Sequence, residues 1–414
     1  MIKSIPGLRE RSLYFFPYLY TDIRTFEIET NKPFKWREYQ MENKFVVDQK
    51  ALLSILASMQ PICTKRTTLD ATSSILFQIG TKELVLKSTD LEVSLQSSYL
   101  VQDSSVEEPI SFLVSGRRIF DIVKELDGNI ECALQDQQLV VKTDSVNLAL
   151  NIKDSEEFPP FPERIENLMQ LESAFLLEML GKVAFLIPQN NSNPALNGLY
   201  LEISDSELKM TATDGHCLAQ AKSPKYKLAE EKKWLLPRRA VFEVKKILES
   251  SKEKSVFLGT CGNQLVFSGE SFNFFTKLLV DPFPQYQAIM SREGFQPATV
   301  DRSHFVKTLR RSSCLLSGQF IATKFDFTPD LLNVSMQNKE VGKLQEDVPL
   351  SGFGGEKLDI RFYAPYLLNG LQVFPDQNIG FFLKNQAKPI IFEAEMPEYN
   401  FTYLVMPVSP TTNS

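Results

Sequence analysis

Asp214 and His216 have the residue types of a catalytic acid–base pair. A histidine near a carboxylate can act as a general base when a nucleophile lies within hydrogen-bond reach. The chain contains neither a Gly-x-Ser-x-Gly elbow nor a phosphate-binding Gly-x-x-x-x-Gly-Lys loop. A hydrolase that uses these two residues therefore stays as the alternative hypothesis, while the sequence favours a protein without catalytic residues.

The histidines and cysteines restrict metal and redox chemistry. The chain has two histidines and five cysteines, and no cysteine pair shows C-x-x-C spacing. This pattern indicates free thiols in a reducing compartment rather than disulfides or a zinc site. We therefore expect a cytoplasmic protein with no metal and no cofactor. We expect no membrane partner either, because no stretch approaches the roughly 18 consecutive apolar residues of a membrane span.

The composition is that of an ordinary globular protein, because 43% of the residues are hydrophobic and 23% are charged. A length of 414 residues predicts two or three domains. The net charge of −6 argues weakly against nucleic-acid binding. Basic residues can nevertheless gather on one face of an acidic protein, so the net charge does not decide the question.

Two helices recur three times along the chain, with apolar residues at helical spacing. The first helix is predicted with starts about 125 residues apart, at Val47–Met59, Leu171–Val183 and Val300–Ser312. The second helix is predicted at Ser115–Leu126, Pro237–Leu248 and Ala364–Leu371. A threefold repeat without a catalytic cluster points to a scaffold rather than an enzyme.

Each unit also contains an alternating strand, a polar turn and a second strand, as in a β-hairpin. The hairpins are predicted at Leu84–Leu95, Leu208–Ala219 and Leu331–Leu344. Their turn residues are Asp90, Asp214 and Asn338. Asp and Asn tolerate left-handed backbone and cap their own turns, which explains why they recur at this point.

These elements predict an α+β protein in which two helices of each domain pack on antiparallel sheets. Proline-containing stretches at Phe158-Pro159, Phe283-Pro284 and Met406-Pro407 close the units. The predicted domains span 41–163, 164–288 and 289–410, followed by a polar tail at 411–414. Residues 1–40 match no part of the repeat and lack a signal-peptide pattern, so we expect a leader that is disordered or outside the fold.

With this repeat, the chain resembles the bacterial DNA polymerase III β subunit, the β sliding clamp, over about residues 41–409. The resemblance also rests on Thr-Asp-Leu-Glu at 89–92, Asn-Pro-Ala-Leu-Asn-Gly at 193–198, Thr-Asp-Gly-His at 213–216, Phe-Pro-x-Tyr at 283–286 and Val-Met-Pro-Val at 405–408. It implies the DNA clamp fold, with three similar domains and a head-to-tail homodimeric ring whose helices line a central hole.

The family tethers the replicative polymerase to duplex DNA, so the resemblance implies a sliding clamp, or processivity factor, in DNA replication. The partners that it implies are double-stranded DNA bound independently of sequence, DNA polymerase III and other polymerases, the clamp loader, and repair proteins with clamp-binding peptides. A third hypothesis from another class, a monomeric β-rich adaptor that does not bind DNA, stays open at this point.

Sliding requires contacts to the DNA backbone, which Lys and Arg supply without reading sequence. The candidate cations on and beside the predicted helices are Lys65, Arg66, Arg117, Arg118, Lys124, Lys182, Arg238, Arg239, Lys245, Lys246, Lys307, Arg310 and Arg311. Arg66 and Arg117 match positions where the family contacts DNA, and Phe320, Tyr363 and Tyr366 lie where its third domain does. Any single cation could equally be a solvated helix residue.

The family also has an apolar pocket between its second and third domains, which takes short peptides with hydrophobic anchors. The matching positions are Leu196, Thr213, Gly215, His216, Leu218, Pro284, Ile289, Leu404, Met406, Pro407 and Val408. A concave apolar site suits a linear motif, and methionine adapts to varied ligands. Taken without the resemblance, the same residues would be interpreted as plain core and a turn. Cys217, Ala288 and Ser409 stand where the family often has arginine, so we expect a less basic rim.

The dimer interface of the family joins the first domain of one chain to the third domain of the other. The apolar residues that match it are Leu148 and Leu150 on one side and Leu315 and Leu316 on the other. A head-to-tail contact of this kind closes into a ring when the rotation permits. Ordinary core packing is the competing interpretation of these four residues.

Overall fold

The structure, a computed structural model, describes residues 43–317, 321–375 and 377–408. The predictions made for residues 1–40, Phe320, Ser409 and the tail 411–414 lie outside the described residues. The chain divides into residues 1–41 and a compact unit from Glu42 onward, and everything below concerns the second of these.

Six α-helices lie within the described ranges, two in each repeat. They are α1 (Gln49–Cys63), α2 (Gly116–Lys124), α3 (Ser173–Val183), α4 (Arg238–Ser250), α5 (Arg302–Ser313) and α6 (Ala364–Leu371). The prediction of two helices in each of three units is confirmed. The predicted starts at Val47, Leu171 and Val300 were wrong by about two residues, because the residue that precedes each helix has extended backbone and ends a strand.

Side-chain caps fix two of these helix starts. The Asp48 carboxylate accepts a hydrogen bond from the Ala51 N–H at 2.9 Å. Asp301 accepts one from the His304 N–H at 2.6 Å. Such caps satisfy N–H groups that have no partner in the first helical turn, so α1 and α5 begin immediately after their aspartates.

The remaining elements are short strands. The first repeat contains β1 (Lys44–Asp48), β2 (Ser74–Ile79), β3 (Glu83–Thr89), β4 (Val93–Leu100), β5 (Asp103–Ser104), β6 (Ile110–Ser115), β7 (Asn129–Gln135), β8 (Gln138–Lys142), β9 (Asn147–Asn151) and β10 (Lys153–Asp154). The second contains β11 (Glu166–Glu172), β12 (Gly198–Ile203), β13 (Leu208–Thr213), β14 (Cys217–Ser223), β15 (Lys232–Pro237), β16 (Ser255–Cys261), β17 (Gln264–Ser268) and β18 (Phe272–Lys277). The third contains β19 (Gln296–Asp301), β20 (Thr323–Thr328), β21 (Leu331–Asn338), β22 (Gly342–Ser351), β23 (Leu358–Phe362), β24 (Asn378–Leu383), β25 (Ile390–Glu395) and β26 (Asn400–Val405).

The strands form antiparallel sheets that cross the boundaries between repeats. One sheet has the order β5-β1-β7-β8-β9, and a second has the order β10-β6-β2-β3-β4-β18-β17-β16-β11. The third runs β15-β12-β13-β14-β26-β25-β24-β19-β22-β21-β20-β23. Pairing of β4 with β18 joins repeats 1 and 2, and pairing of β14 with β26 joins repeats 2 and 3. We call these contacts junction 1–2 and junction 2–3.

The three predicted hairpins are confirmed as β3–β4, β13–β14 and β21–β22. In each turn the Asp or Asn side-chain oxygen accepts hydrogen bonds from the N–H groups two and three residues later. The distances are 3.0 and 2.9 Å at Asp90, 2.8 and 2.7 Å at Asp214, and 2.9 and 3.3 Å at Asn338. The recurrence of these residues therefore has the turn-capping cause that the sequence indicated.

One apolar core runs through the three repeats, where the helices cover the sheets. Leu52, Leu56 and Met59 of α1 lie on its buried face, and β21 alternates buried with less buried residues. In the part of the chain that the structure describes, no helix is long and apolar enough to cross a membrane. The same residues contain no group of three or more His, Cys, Asp and Glu side chains that could hold a metal ion.

Candidate functional site

Junction 2–3 brings most of the predicted peptide-pocket residues to one place. Leu218 on β14 lies opposite Leu404 on β26, and the Met406 N–H donates to the His216 carbonyl at 2.8 Å. Leu218 and Leu404 belong to a small apolar cluster, separate from the main core, against which Met406 packs. The strand pairing therefore places apolar side chains from two repeats side by side.

The segment that connects repeats 2 and 3 packs on this cluster. The Phe283 ring stacks on Tyr200 with centroids 4.7 Å apart. Arg292 forms an ion pair with Glu393 at 2.7 Å, and its guanidinium lies 4.9 Å from the centroid of the Phe382 ring. These contacts hold the connection against the sheet that carries Leu218.

Tyr286 is a site residue that the sequence reasoning missed. Its ring is buried in the small cluster. Its hydroxyl donates to the Glu202 carboxylate at 2.5 Å and accepts a hydrogen bond from the Gln220 amide at 3.1 Å. Burial, with the Glu202 hydrogen bond second, raises the pKa of Tyr286. The Phe-Pro-x-Tyr string contained the signal, because a buried tyrosine needs a partner for its hydroxyl, but only Pro284 was selected from it.

The turn at Asp214-Gly215 shapes one edge of the junction. Gly215 has a φ of +93°, a left-handed conformation that favours glycine. A Cβ at this position would lie 3.7 Å from the Leu196 side chain, so two predicted pocket residues are neighbours. The Thr213 hydroxyl accepts a hydrogen bond from the Gly215 N–H at 3.1 Å and donates to the Cys217 carbonyl at 2.5 Å.

His216 and Asp214 are used within this turn in ways that differ from an acid–base pair. The exposed His216 ring stacks on Tyr366 from repeat 3, with centroids 5.3 Å apart and planes 17° apart. One Asp214 carboxylate oxygen accepts both backbone hydrogen bonds of the turn. Burial, followed by the charge of Asp214, raises the pKa of Tyr366 to about 12.

The other predicted pocket residues surround the cluster less closely. Pro284 and Ile289 lie exposed on the connecting segment. Pro407 and Val408 are half-buried, and the Val408 N–H donates to the Arg361 carbonyl at 2.9 Å. Ala288 is exposed.

Cys217 is buried rather than placed on a rim. Burial, with the negative charge of Asp214 as the second cause, raises the pKa of its thiol.

The residues predicted to contact DNA fall into two groups. Arg66 and Arg117 are exposed in repeat 1, and the Arg117 guanidinium lies 3.8 Å from the Asp121 carboxylate. Tyr363 and Tyr366 form an edge-to-face pair with centroids 4.9 Å apart. Because Tyr366 also stacks on His216, the structure places this pair beside the predicted peptide pocket. A role of the tyrosines in DNA contact stays a prediction.

Several predicted inner-helix cations form bonds across the junctions. Arg239 of α4 forms an ion pair with Asp90 in repeat 1 and donates to the Pro61 carbonyl at 3.1 Å. Lys246 of α4 donates to the Ala57 carbonyl at 3.0 Å. Pro61 lacks an N–H, so it cannot bond the Ala57 carbonyl within α1, and the lysine takes that place.

The four predicted dimer-interface residues are half-buried. Leu148 and Leu150 lie on β9, an edge strand of its sheet. Leu315 and Leu316 follow α5, and the Asn338 amide donates to the Leu315 carbonyl at 2.7 Å. This hydrogen bond holds the residues after α5 beside the end of β21.

Comparison with known proteins gives three family models in chain order. The models of the DNA polymerase III beta subunit match as the N-terminal domain over residues 43–162, the central domain over 170–285 and the C-terminal domain over 287–409. The chain is 26% identical over 370 residues to the beta sliding clamp of Pseudomonas aeruginosa, covering 88% of this chain and 99% of that protein. It is 24% identical over 377 residues to the beta sliding clamp of Bacillus subtilis, with coverage of 88% and 99%.

Solved structures give the same fold. A DNA polymerase sliding clamp from Pseudomonas aeruginosa with ligand has a TM-score of 0.81 at 24% identity, covering 89% of this chain and 100% of that one. A sliding clamp from Caulobacter crescentus has a TM-score of 0.80 at 23% identity, covering 88% and 99%. The prediction of an α+β clamp fold with three domains is confirmed.

Proposed function

Because the chain belongs to the family of DNA polymerase III beta subunits, the β sliding clamps, we propose that two copies close head to tail into a ring around duplex DNA. As a member of this family, the protein is a non-catalytic processivity factor of DNA polymerase III. We place its work in the cytoplasm, where the replication machinery of a bacterium meets DNA.

One observation about strand pairing supports the proposed ring. Both junctions inside the chain are antiparallel strand pairs, β4 with β18 and β14 with β26. In repeat 3 the counterpart of β4 and β14 is β22, and in repeat 1 the counterpart of β18 and β26 is β9. Among the described residues, β9 pairs only with β8, and residues 342–349 of β22 pair only with β21. A second copy supplies the missing neighbour of each strand, and we call that contact the seam.

Burial at equivalent positions supports the seam. Phe272 and Tyr399 close the turns before β18 and β26, and they are only 6% and 3% exposed. Their counterpart in repeat 1, Val146, is half-buried. An open edge with half-buried apolar residues is what a strand contact between copies requires.

Residues of the two edge strands can also be matched. The third residue of β4, Leu95, lies opposite Phe274, and the third residue of β14, Ala219, lies opposite Tyr403. The third residue of β22 is Leu344. By the same pattern, Leu344 of one copy lies opposite one face of β9 in the second copy. Leu148 and Leu150 lie on that face, so the four predicted leucines and Leu344 form one apolar contact.

Duplex DNA is then held by exposed cations whose side chains form no bonds with other described residues. Arg66 is exposed after α1, and Lys307 and Arg310 are exposed on α5. Lys307 and Arg310 line a cavity of about 430 Å³ beside Pro375 and Gln377. Backbone phosphates suit such cations, and contacts of this kind permit sliding because they carry no sequence information.

Partners with short apolar motifs bind at junction 2–3. The observation that supports this site is the apolar cluster of Leu218, Leu404 and Met406 beside the turn that contains His216. A pocket of this composition recognises hydrophobic anchors of a peptide. Polymerases, the clamp loader and repair proteins are the classes of partner proposed for it, and Tyr366 extends the same surface.

The proposed ring is tested by comparing how the protein is retained on circular and on linear DNA. Protein loaded onto closed circular DNA should stay bound during gel filtration at high salt, and linearising the DNA should release it. The matched variant is Leu344→Asp, which should give single chains and lose retention on the circle. Equal retention on circular and linear DNA would show that the protein binds DNA without encircling it.

A further inference from the structure

Tyr286, in the small apolar cluster of junction 2–3, is also the centre of a buried polar network. Its hydroxyl donates to the Glu202 carboxylate at 2.5 Å. The hydroxyl accepts hydrogen bonds from the Gln220 amide at 3.1 Å and from the Thr211 hydroxyl at 3.3 Å. All four residues are buried. A phenol has one proton to donate and can accept from two donors, so the Tyr286 hydroxyl is fully satisfied in this position.

Tyr286 attaches the connecting segment to the sheet. Within residues 281–290, all of which the structure describes, it is the only buried residue. Its carbonyl accepts a hydrogen bond from the Ile289 N–H at 3.1 Å, at the start of the 3₁₀ turn Gln287–Met290. Ile289 is exposed on this turn, and Met290 packs against the small cluster. The depth of the tyrosine ring therefore sets where this turn lies on the cluster.

The matching segment of junction 1–2 is held differently. Phe158-Pro159-x-Phe161 corresponds to Phe283-Pro284-x-Tyr286, so a phenylalanine without a hydroxyl takes the place of the tyrosine. Phe161 is half-buried and packs edge-to-face on Phe275, with centroids 5.4 Å apart. The Lys87 ammonium lies 5.2 Å from the centroid of the Phe161 ring. The hydrogen-bonded tyrosine thus occurs at the junction that carries the proposed peptide pocket.

The buried carboxylate makes the seated position of Tyr286 strongly preferred. Glu202 is 5% exposed, and a buried carboxylate without a hydrogen-bond donor is costly. If the tyrosine ring left the cluster, Glu202, Gln220 and Thr211 would each lose a partner. The network therefore keeps the ring, and with it the turn that carries Ile289, in one position before a peptide arrives.

We infer that Tyr286 is a positioning residue of the peptide pocket. Its hydroxyl, held by Glu202 and Gln220, fixes the turn that carries Ile289 and pre-forms one wall of the pocket for an apolar peptide anchor. A preformed wall raises affinity because binding does not have to order it. This inference rests on the proposed function, in which short peptides bind at junction 2–3. The hydroxyl acts through the wall and makes no contact of its own with the peptide.

The test is the dissociation constant of a fluorescein-labelled, polymerase-derived peptide, measured by fluorescence polarisation with the full chain. Tyr286→Phe keeps the ring and removes the hydroxyl, so it should raise the constant about threefold to tenfold, the range that one net hydrogen bond sets. The matched control is Tyr399→Phe. The buried Tyr399 hydroxyl donates to the Glu178 carboxylate at 2.6 Å, just before β26 and at the end of that strand away from Met406. Tyr399→Phe should leave the peptide constant within twofold, although it loses the same kind of bond.

Two further measurements show whether the effect runs through the wall. The Ile289 amide should exchange its hydrogen several times faster in Tyr286→Phe than in the wild type, and at the wild-type rate in Tyr399→Phe. Glu202→Gln keeps a carbonyl oxygen that accepts from Tyr286, so it should retain most of the peptide affinity, whereas Glu202→Ala should match Tyr286→Phe. In the Tyr286→Phe background, Glu202→Ala should add no further loss of affinity, because both changes break the same bond.

The outcomes separate this inference from the proposed function. A wild-type protein that binds the peptide, with a constant that Tyr286→Phe leaves unchanged or that Tyr399→Phe raises equally, overturns the inference alone. A wild-type protein that does not bind the peptide overturns the proposed pocket and the inference together. If Tyr286→Phe does not fold, the loss in Glu202→Ala and its rescue in Glu202→Gln decide in its place.

Discussion

Junctions 1–2 and 2–3 share one backbone arrangement and differ in the side chains that fill it. In both, a strand after an Asp turn pairs with the last strand of the next repeat. The Lys277 N–H donates to the Glu92 carbonyl at 2.9 Å in the first, and the Met406 N–H donates to the His216 carbonyl at 2.8 Å in the second. The hydrogen-bonded frame is therefore repeated, and it does not by itself create a binding site.

The side chains decide what each junction does. At junction 1–2 the position opposite Phe275 is Ser94, whose hydroxyl bonds Thr89 at 2.7 Å, and Arg239 binds the buried Asp90. At junction 2–3 the corresponding strand residues are Leu218 and Leu404. One junction is thus closed by polar bonds and the other carries an apolar surface. The comparison teaches that one backbone arrangement can carry either polar bonds or an apolar surface, depending on a few side chains.

The largest expected difference concerns the two turn aspartates. The Asp90 side chain is 0% exposed and pairs with Arg239, whereas Asp214 caps only its own turn. Asp90→Ala should lower the free energy of unfolding by about 3–5 kcal/mol, because it leaves the arginine unpaired. Asp214→Ala should cost about 1–2 kcal/mol, the usual loss of a capping bond. Denaturant titrations at one protein concentration measure both, and equal losses would remove the distinction between the junctions.

The next prediction separates binding from structure at matched positions. Met406→Ala should weaken binding of a polymerase-derived peptide roughly tenfold or more, since burial of a methionine side chain contributes about 1.5–3 kcal/mol. Lys277→Ala, the same change at junction 1–2, should leave peptide affinity unchanged. Fluorescence polarisation gives both constants. A peptide that binds the Met406 variant at wild-type affinity would place the pocket elsewhere.

A smaller effect on peptide affinity is expected at His216 and at its counterpart in junction 1–2, Glu92. His216 stacks on Tyr366, while its counterpart Glu92 pairs with Lys65 inside repeat 1. His216→Ala should reduce peptide affinity about threefold to tenfold, because aromatic contacts contribute about 0.5–1.5 kcal/mol. Glu92→Ala should have no effect in the same titration. A loss caused only by the Glu92 change would reverse the roles assigned to the two turns.

The smallest effect concerns the turn backbone. Leu91 has a φ of +74° at the position where the second repeat has Gly215 with +93°. Leu91→Gly should stabilise the protein by up to about 1 kcal/mol by removing left-handed strain, and Gly215→Ala should destabilise it by about the same amount. Thermal unfolding midpoints of the two variants should shift in opposite directions. Shifts of the same sign would show that side-chain packing outweighs the backbone at these turns.

The repeat, its helices and its hairpins could be predicted from the sequence because their signals are local. Apolar spacing marked α1, α3 and α5, and the Asx residues marked the turns. The site was predictable only through family resemblance, because Leu218 and Leu404 are far apart in the chain and meet through strand pairing. The role of Arg239 was not predictable, since an arginine on a helix face does not show in sequence that it binds Asp90 of another repeat. Tyr286 was missed for the same reason: its partners Glu202 and Gln220 lie on other strands.

Hydrogen exchange of the backbone amides in β9 and β22 tests the central claim most directly, because the proposed ring pairs these two strands across the seam. The account predicts that the seam-facing amides of Asn147–Asn151 and of residues 342–348 are protected at micromolar protein concentration, where two chains pair. Protection should fall in the Leu344→Asp variant, while β4 and β14 stay protected. Exchange in β9 and β22 at the rate of an open strand edge, unchanged by concentration, would contradict a ring closed by these two strands.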